Sequence, residues 1–187
     1  MEPGERYWMV VEPYWEAVDI YNGEEEFLRT FAPLPEPAKH LLAAHWCQSE
    51  VCNGGFHQFF TNSTGVLAPE AAQGFEAIGM PVVAALVAEA MVTFGAPYPR
   101  EQEQREQHLS SIPGESRAEW DPFTALDAAF YSEIGEEGAL LYRAARIFRW
   151  PSGQARGQAR NSGMTAGGDA HDQDPDAGRA PHHLRGG

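Results

Sequence analysis

Cysteine is scarce in this chain of 187 residues, which has only Cys47 and Cys52. Two thiols within one expected helix and its end make no disulfide framework, because bridging them would bend the backbone badly. A reducing compartment is the simpler expectation. Lysine is scarcer still, with Lys39 alone beside twelve arginines. No apolar run is long enough to span a bilayer, and the most apolar one, Pro81 to Phe94, carries Glu89. The opening MEPGERYWMV lacks a basic segment followed by an apolar run. No secretion signal is therefore visible, and a cytoplasmic protein is expected. Alternating β-branched runs are almost absent, which argues against a sheet.

What is present is aromatic mass, helical spacing and negative charge. Hydrophobic residues make up 43% of the chain, including ten Phe, six Tyr and five Trp, a composition that folds. Asp plus Glu number 27 against 13 Lys plus Arg, giving a net charge of −14. Residues 1–150 hold 23 acids and 9 bases, whereas residues 151–187 hold 4 of each, so the excess lies on the part expected to fold. Such a surface repels nucleic acid, whose duplex carries about one negative charge per 1.7 Å of axis. It attracts cationic proteins and steers their approach. It also serves solubility.

The spacing predicts an all-α fold: a single compact bundle of about eight or nine helices over residues 1–150, then a disordered Gly/Ala/polar tail over 151–187. Pro13 to Ile20 reads as a helix with Trp15 and Val18 inward and Glu12, Glu16 and Asp19 on the opposite face. A short acidic-capped helix comes next at Glu24 to Leu28, and PLPEP makes a stiff connector. The helix opened by Pro37 stops at Asn53-Gly54-Gly55 and restarts as Phe56 to Phe60. Pro69 and Pro81 open the next two, closed by Gly79 and Gly95. The second carries an apolar stripe of Val82, Val83, Leu86, Val87, Ala90, Met91 and Phe94. In the polar helix REQEQREQHL, Glu101 and Arg105 stand one turn apart and can pair. Two last helices are expected at about 122–133 and 137–149.

Catalytic patterns are missing. His45, Cys47, Cys52 and His57 have the elements of a zinc site, but H-x-C-x4-C-x4-H matches no usual ligand spacing. A Cys52–His57 nucleophile pair lacks an orienting group and an oxyanion pocket. Asn53-Gly54-Gly55 lacks the strand and motif of a phosphate loop. The reading is a non-enzymatic protein without metal, cofactor, nucleic acid or membrane as partner. Ordered carboxylates remain as candidates for a basic partner. One set is Glu12, Glu16, Asp19, Glu24, Glu25 and Glu26; a second is Glu101, Glu103 and Glu106; a third is Glu115, Glu119 and Asp121. Acids one helical turn apart lie about 4.5 to 6 Å apart along the axis, the scale of charge repeats along a nucleic-acid backbone. The bland reading is a set of solvated helix faces on a binding or immunity-type protein whose acidity serves only solubility.

The stretch from Glu50 to Asn62, EVCNGGFHQFFTN, with Gly65 beyond, resembles the bacterial family of DNA mimic proteins. The likeness continues through Phe75 to Gly79 and the helix ending at Phe94-Gly95, and covers about residues 10 to 150. It implies an acidic helical body, dimeric in its best-known member, that occupies the DNA-binding face of a helix-turn-helix regulator without enzymatic activity. Asn53, Gly54, Gly55, Phe56, Gln58, Phe59, Phe60 and Asn62 are its motif positions and read as structural. Asn53, Gln58 and Asn62 are expected to hydrogen-bond the free backbone groups of a sharp corner.

Overall fold

The structure, a computed structural model, describes residues 3–114 and 121–135. Among them are seven α-helices and no strand: α1 (Pro3–Val11), α2 (Gly23–Phe31), α3 (Glu36–Thr61), α4 (Ala68–Ala77), α5 (Pro81–Val92), α6 (Gln102–Ser110) and α7 (Thr124–Ile134). Short 3-10 turns at Glu12–Tyr14 and Ser63–Leu67 come directly after α1 and α3. The all-α expectation holds, with seven helices where eight or nine were expected. The expected helix at 137–149 and the tail at 151–187 lie outside the described residues.

α3 is the element on which the others pack: α1, α4, α6 and α7 all lie against it. Its first half buries Ala38, Leu41, Leu42, Ala43, Ala44, Cys47 and Val51. Small residues there let α4 come close, and a Cβ on Gly74 would stand 2.5 Å from the His40 carbonyl oxygen. α3 then breaks its own helix. Gly54 (φ −154°, ψ 20°) and Gly55 (φ 76°, ψ 178°) leave helical geometry. Only glycine takes the φ of Gly55 without a steric penalty. The chain turns and restarts, and Phe56, Phe59 and Phe60 all enter the core fully buried. Their rings meet other elements: Phe56 and Phe130 at 5.4 Å, Phe60 and Phe94 at 4.8 Å, Phe60 and Phe123 at 5.3 Å. Each such pair adds about 0.5–1.5 kcal/mol beyond the area it buries.

The restarted segment, from Phe56 to Thr61, is too short to hold helical form alone. Charged side chains from other helices hold both its ends. At the start, Asp127 of α7 accepts the Phe56 backbone N–H at 2.7 Å. A carboxylate here satisfies an orphan donor and faces the positive end of the helix dipole. At the far end stands Arg105 of α6, fully enclosed. It donates to the carbonyls of Phe60 (2.8 Å) and Asn62 (2.9 Å), and also to Pro99 and Arg100. Burial lowers the pKa of this guanidinium, yet arginine stays charged in proteins. Across the corner, Glu50 accepts from the side-chain amides of Gln58 (2.8 Å) and Asn62 (2.9 Å). The Tyr131 hydroxyl donates to the Val51 carbonyl at 2.8 Å.

Several expectations are corrected here. Pro13 to Ile20 is no α-helix: after the 3-10 turn the chain runs as turn and loop. Asp19 explains why, since its carboxylate accepts from the Tyr21 and Asn22 amides and the Asn22 side chain. Such local bonds compete with helix. Glu12, Glu16 and Asp19 therefore share no helix face. Val82 is 52% exposed and does not belong to the buried stripe of α5. Arg105 makes no ion pair with Glu101, because it points inward to carbonyls. Gln58 and Asn62 use their amides on Glu50, not on the corner's backbone, and Asn53 is exposed.

Substitutions at Gly55 and Arg105 test this arrangement. Gly79 also has a positive φ, +81°, but a Cβ there would meet nothing within 4 Å, whereas one on Gly55 would stand 2.4 Å from Asp127 Oδ2. In urea denaturation Gly79→Ala should cost about 1 kcal/mol and Gly55→Ala about 2–4 kcal/mol. Arg105→Met removes the guanidinium donor from the buried Phe60 carbonyl and from three part-buried ones, and should cost about 3–5 kcal/mol in the same measurement, with Arg105→Lys recovering part of it.

Candidate partner-binding surface

A chain with this charge has few cations to place, and the fold engages Arg29, Lys39, Arg100 and Arg105 internally. Arg29 makes a two-point contact with Glu26 within α2, and Lys39 reaches Glu36 at 2.7 Å. Arg105 is enclosed and bonded to backbone carbonyls. Arg100 stands over the Phe27 ring and donates to both carboxylate oxygens of Glu70 (2.8 and 2.7 Å) and to the Val66 carbonyl (2.7 Å). It also approaches Glu24 at 3.4 Å. Burial opposes the charge on Arg100, but the hydrogen bond and charge of Glu70 outweigh it and raise its pKa. The geometry is the bidentate fork that guanidinium favours.

The acids fall into two classes. Some are held by internal partners. The Arg29 hydrogen bond keeps the Glu26 carboxyl below the ordinary range, and the Asn22 side chain and Tyr21 amide do the same for Asp19. Asp121 accepts the Phe123 N–H at 2.9 Å, just ahead of α7. Others face outward. Glu12, Glu16, Glu25, Glu101, Glu103 and Glu106 are exposed, and no cation pairs with them among the described residues. Glu115 and Glu119 lie outside the described residues.

Two of the expected groups are brought together. The Glu101 carboxylate accepts the Glu24 backbone N–H at 3.1 Å, 77 residues away in sequence. The acidic first turn of α2 (Glu24, Glu25, Glu26) thus meets the start of α6. Along α6, Glu103 and Glu106 line one shallow depression with Gln107, Ser110 and Ser111. Glu16, Asp19 and Glu26 line a separate hollow with Trp15, Tyr21 and Trp46. Glu12 and Asp121 join neither group.

The metal elements are dispersed. His45 is wedged among Tyr7, Trp8 and Trp15, and burial pushes its pKa down to about 4, leaving it neutral at ordinary pH. Cys47 is fully buried, which raises its thiol pKa well above the ordinary value. Cys52 is exposed, and His57 lies beside Thr61 and Glu106 in another hollow. Among the described residues no group of three or more His, Cys, Asp or Glu is placed to hold a metal ion. No helix among them is long and apolar enough to cross a membrane.

Sequence reasoning missed Arg100, Glu70, Glu50 and Asp127. Glu50 stands inside the quoted motif, and the shortage of bases was a usable signal. In so acidic a chain, two arginines flanking Glu101 in a polar stretch are better read as anchors than as surface charge.

The DMP19-like protein family matches residues 32–150. The match begins after the N-terminal acidic set, so Glu12 to Glu26 fall outside it, and the likeness is shorter than the expected 10 to 150. No curated protein and no solved structure matches the chain. The matched stretch is more than half of the chain and contains the Asn53-Gly54-Gly55 corner, its three phenylalanines and the Arg105 anchor; the chain belongs to the DMP19-like family of DNA mimic proteins.

Proposed function

We propose that this chain is a non-enzymatic acidic binding protein that offers duplex-like negative charge to the DNA-binding surface of a basic protein, such as a helix-turn-helix regulator or a nucleoid protein. The family supports a partner of the DNA-binding class. The observation that carries the reading is the Glu101–Glu24 hydrogen bond, which joins the acidic first turn of α2 to the acidic face of α6. Glu25, Glu101, Glu103 and Glu106 then supply exposed charge with which no cation pairs among the described residues, while Arg100 and Arg29 are held by Glu24 and Glu26 of the same turn. Glu103 and Glu106 stand three residues apart on a helix, about 4.5 Å along its axis. This spacing is of the order of the phosphate repeat along one strand, roughly 3.4 Å of rise. Glu115, Glu119 and Asp121 come after α6 in sequence and are kept as further contacts. A homodimer would present two such edges.

Solubility alone is the competing explanation, and salt separates the two. A partner captured at about 50 mM salt should be released by about 200 mM salt and displaced by duplex DNA. Glu25→Gln/Glu103→Gln/Glu106→Gln should weaken capture and flatten its salt dependence, with unfolding free energy changed by less than about 0.5 kcal/mol. Binding indifferent to salt, to DNA and to these substitutions would favour the solubility reading.

A further inference from the structure

Next to that edge, and sharing Glu26 with it, lies the hollow walled by Trp15, Tyr21 and Trp46 and rimmed by Glu16, Asp19 and Glu26, about 540 Å³ in volume. The two indoles stand 5.2 Å apart with their planes tilted by 38°, and Tyr21 is 74% exposed. Aromatic faces carry negative potential and attract cations. Here the rim adds the carboxylates of Glu16 and Asp19, while Glu26 is already paired with Arg29 in a two-point contact. The carboxylate of Asp19 is fixed by three hydrogen bonds from Tyr21 and Asn22, so this part of the rim is pre-organised. The wall is also held in place. Trp15 packs edge-on against His45 and Trp8, and Trp46 rises from the central helix α3.

From this charge and shape we infer that the hollow is a receptor for one arginine side chain of a basic protein partner. A planar guanidinium stacks on indole while its N–H fork reaches carboxylates, which a compact, strongly hydrated ammonium does less well. The inference rests on the proposed reading that the partner is basic, and it adds an anchor of stated chemistry beside the α2–α6 edge. That edge offers charge alone, whereas the hollow offers charge and an aromatic surface in one place. Five of its six named residues precede the family match, which begins at residue 32. The anchor would therefore belong to this chain's own choice of partner rather than to the family as a whole.

The test uses the full chain and three capped tripeptides, Gly-Arg-Gly, Gly-Lys-Gly and Gly-Gln-Gly, with choline as a fourth probe. Tryptophan indole N–H signals are followed by NMR during titration. The arginine peptide should shift the Trp15 and Trp46 signals saturably, with the lysine peptide at least about threefold weaker and the glutamine peptide weaker again. Glu16→Gln/Asp19→Asn should weaken arginine-peptide binding about fivefold, whereas Glu25→Gln/Glu103→Gln should leave it unchanged. Equal shifts from the glutamine peptide, tighter binding of choline, or indifference to Glu16→Gln/Asp19→Asn would each overturn the inference. A captured basic protein separates this failure from that of the broader reading. If capture depends on Glu25, Glu103 and Glu106 but not on Glu16 and Asp19, the hollow is not the anchor and the acidic edge stands. If no basic protein is captured while the arginine peptide still binds, the hollow binds guanidinium but its assignment to a basic protein partner falls with the edge.

Discussion

A two-turn helix cannot sustain itself in water, and this fold places one at its centre. The segment from Phe56 to Thr61 carries three buried phenylalanines, and all of its stability must come from outside it. Asp127 satisfies its first orphan N–H, Arg105 its last carbonyls, and Glu50 ties it back across the corner to the helix it left. These three charges belong to α7, α6 and the first half of α3, so holding the segment also fixes where those helices lie. Gly55 is the point at which this becomes possible, since its left-handed backbone turns the chain and leaves room for the Asp127 carboxylate.

The same constraint shapes the surface. Arg105 is removed from solvent to serve as an end-cap, and Arg100 is drawn in between Glu70, Glu24 and the Phe27 ring. Arg29 and Lys39 are held by neighbours on their own helices. Positive charge is thereby used for architecture, and the negative charge left outside is not cancelled locally. A surface of this kind repels nucleic acid and draws basic proteins at long range. The family to which the chain belongs fits that physics, and the aromatic hollow at Trp15 and Trp46 adds a place where contact would be specific as well as electrostatic.

Much of the fold was legible because local signals carry it. Glycines at 55, 79 and 95 take positive φ at the helix ends where their lack of a Cβ predicted them. Pro37, Pro69 and Pro81 stand in first turns, as their fixed φ favours. The reading of residues 13–20 failed for an equally local reason. Asp19 and Asn22 can bond the backbone on their own account, and helical spacing of Trp15 and Val18 says nothing about that competition.

By itself the sequence determined the helical class, the corner at Asn53-Gly54-Gly55 and the placement of excess negative charge within residues 1–150, because each depends on residue type and near-neighbour spacing. It also carried enough of the motif to identify the family. Tertiary structure alone decided which charges point inward. The partners of Arg105 lie up to 45 residues away, that of Asp127 lies 71 residues away, and the link between Glu101 and Glu24 spans 77. A charged side chain one turn from an opposite charge looks the same in sequence whether it pairs on the surface or is drawn into the core to cap another helix. Only the packing of α6 against α3 brings the Arg105 guanidinium to the carbonyls of Phe60 and Asn62 at that helix end.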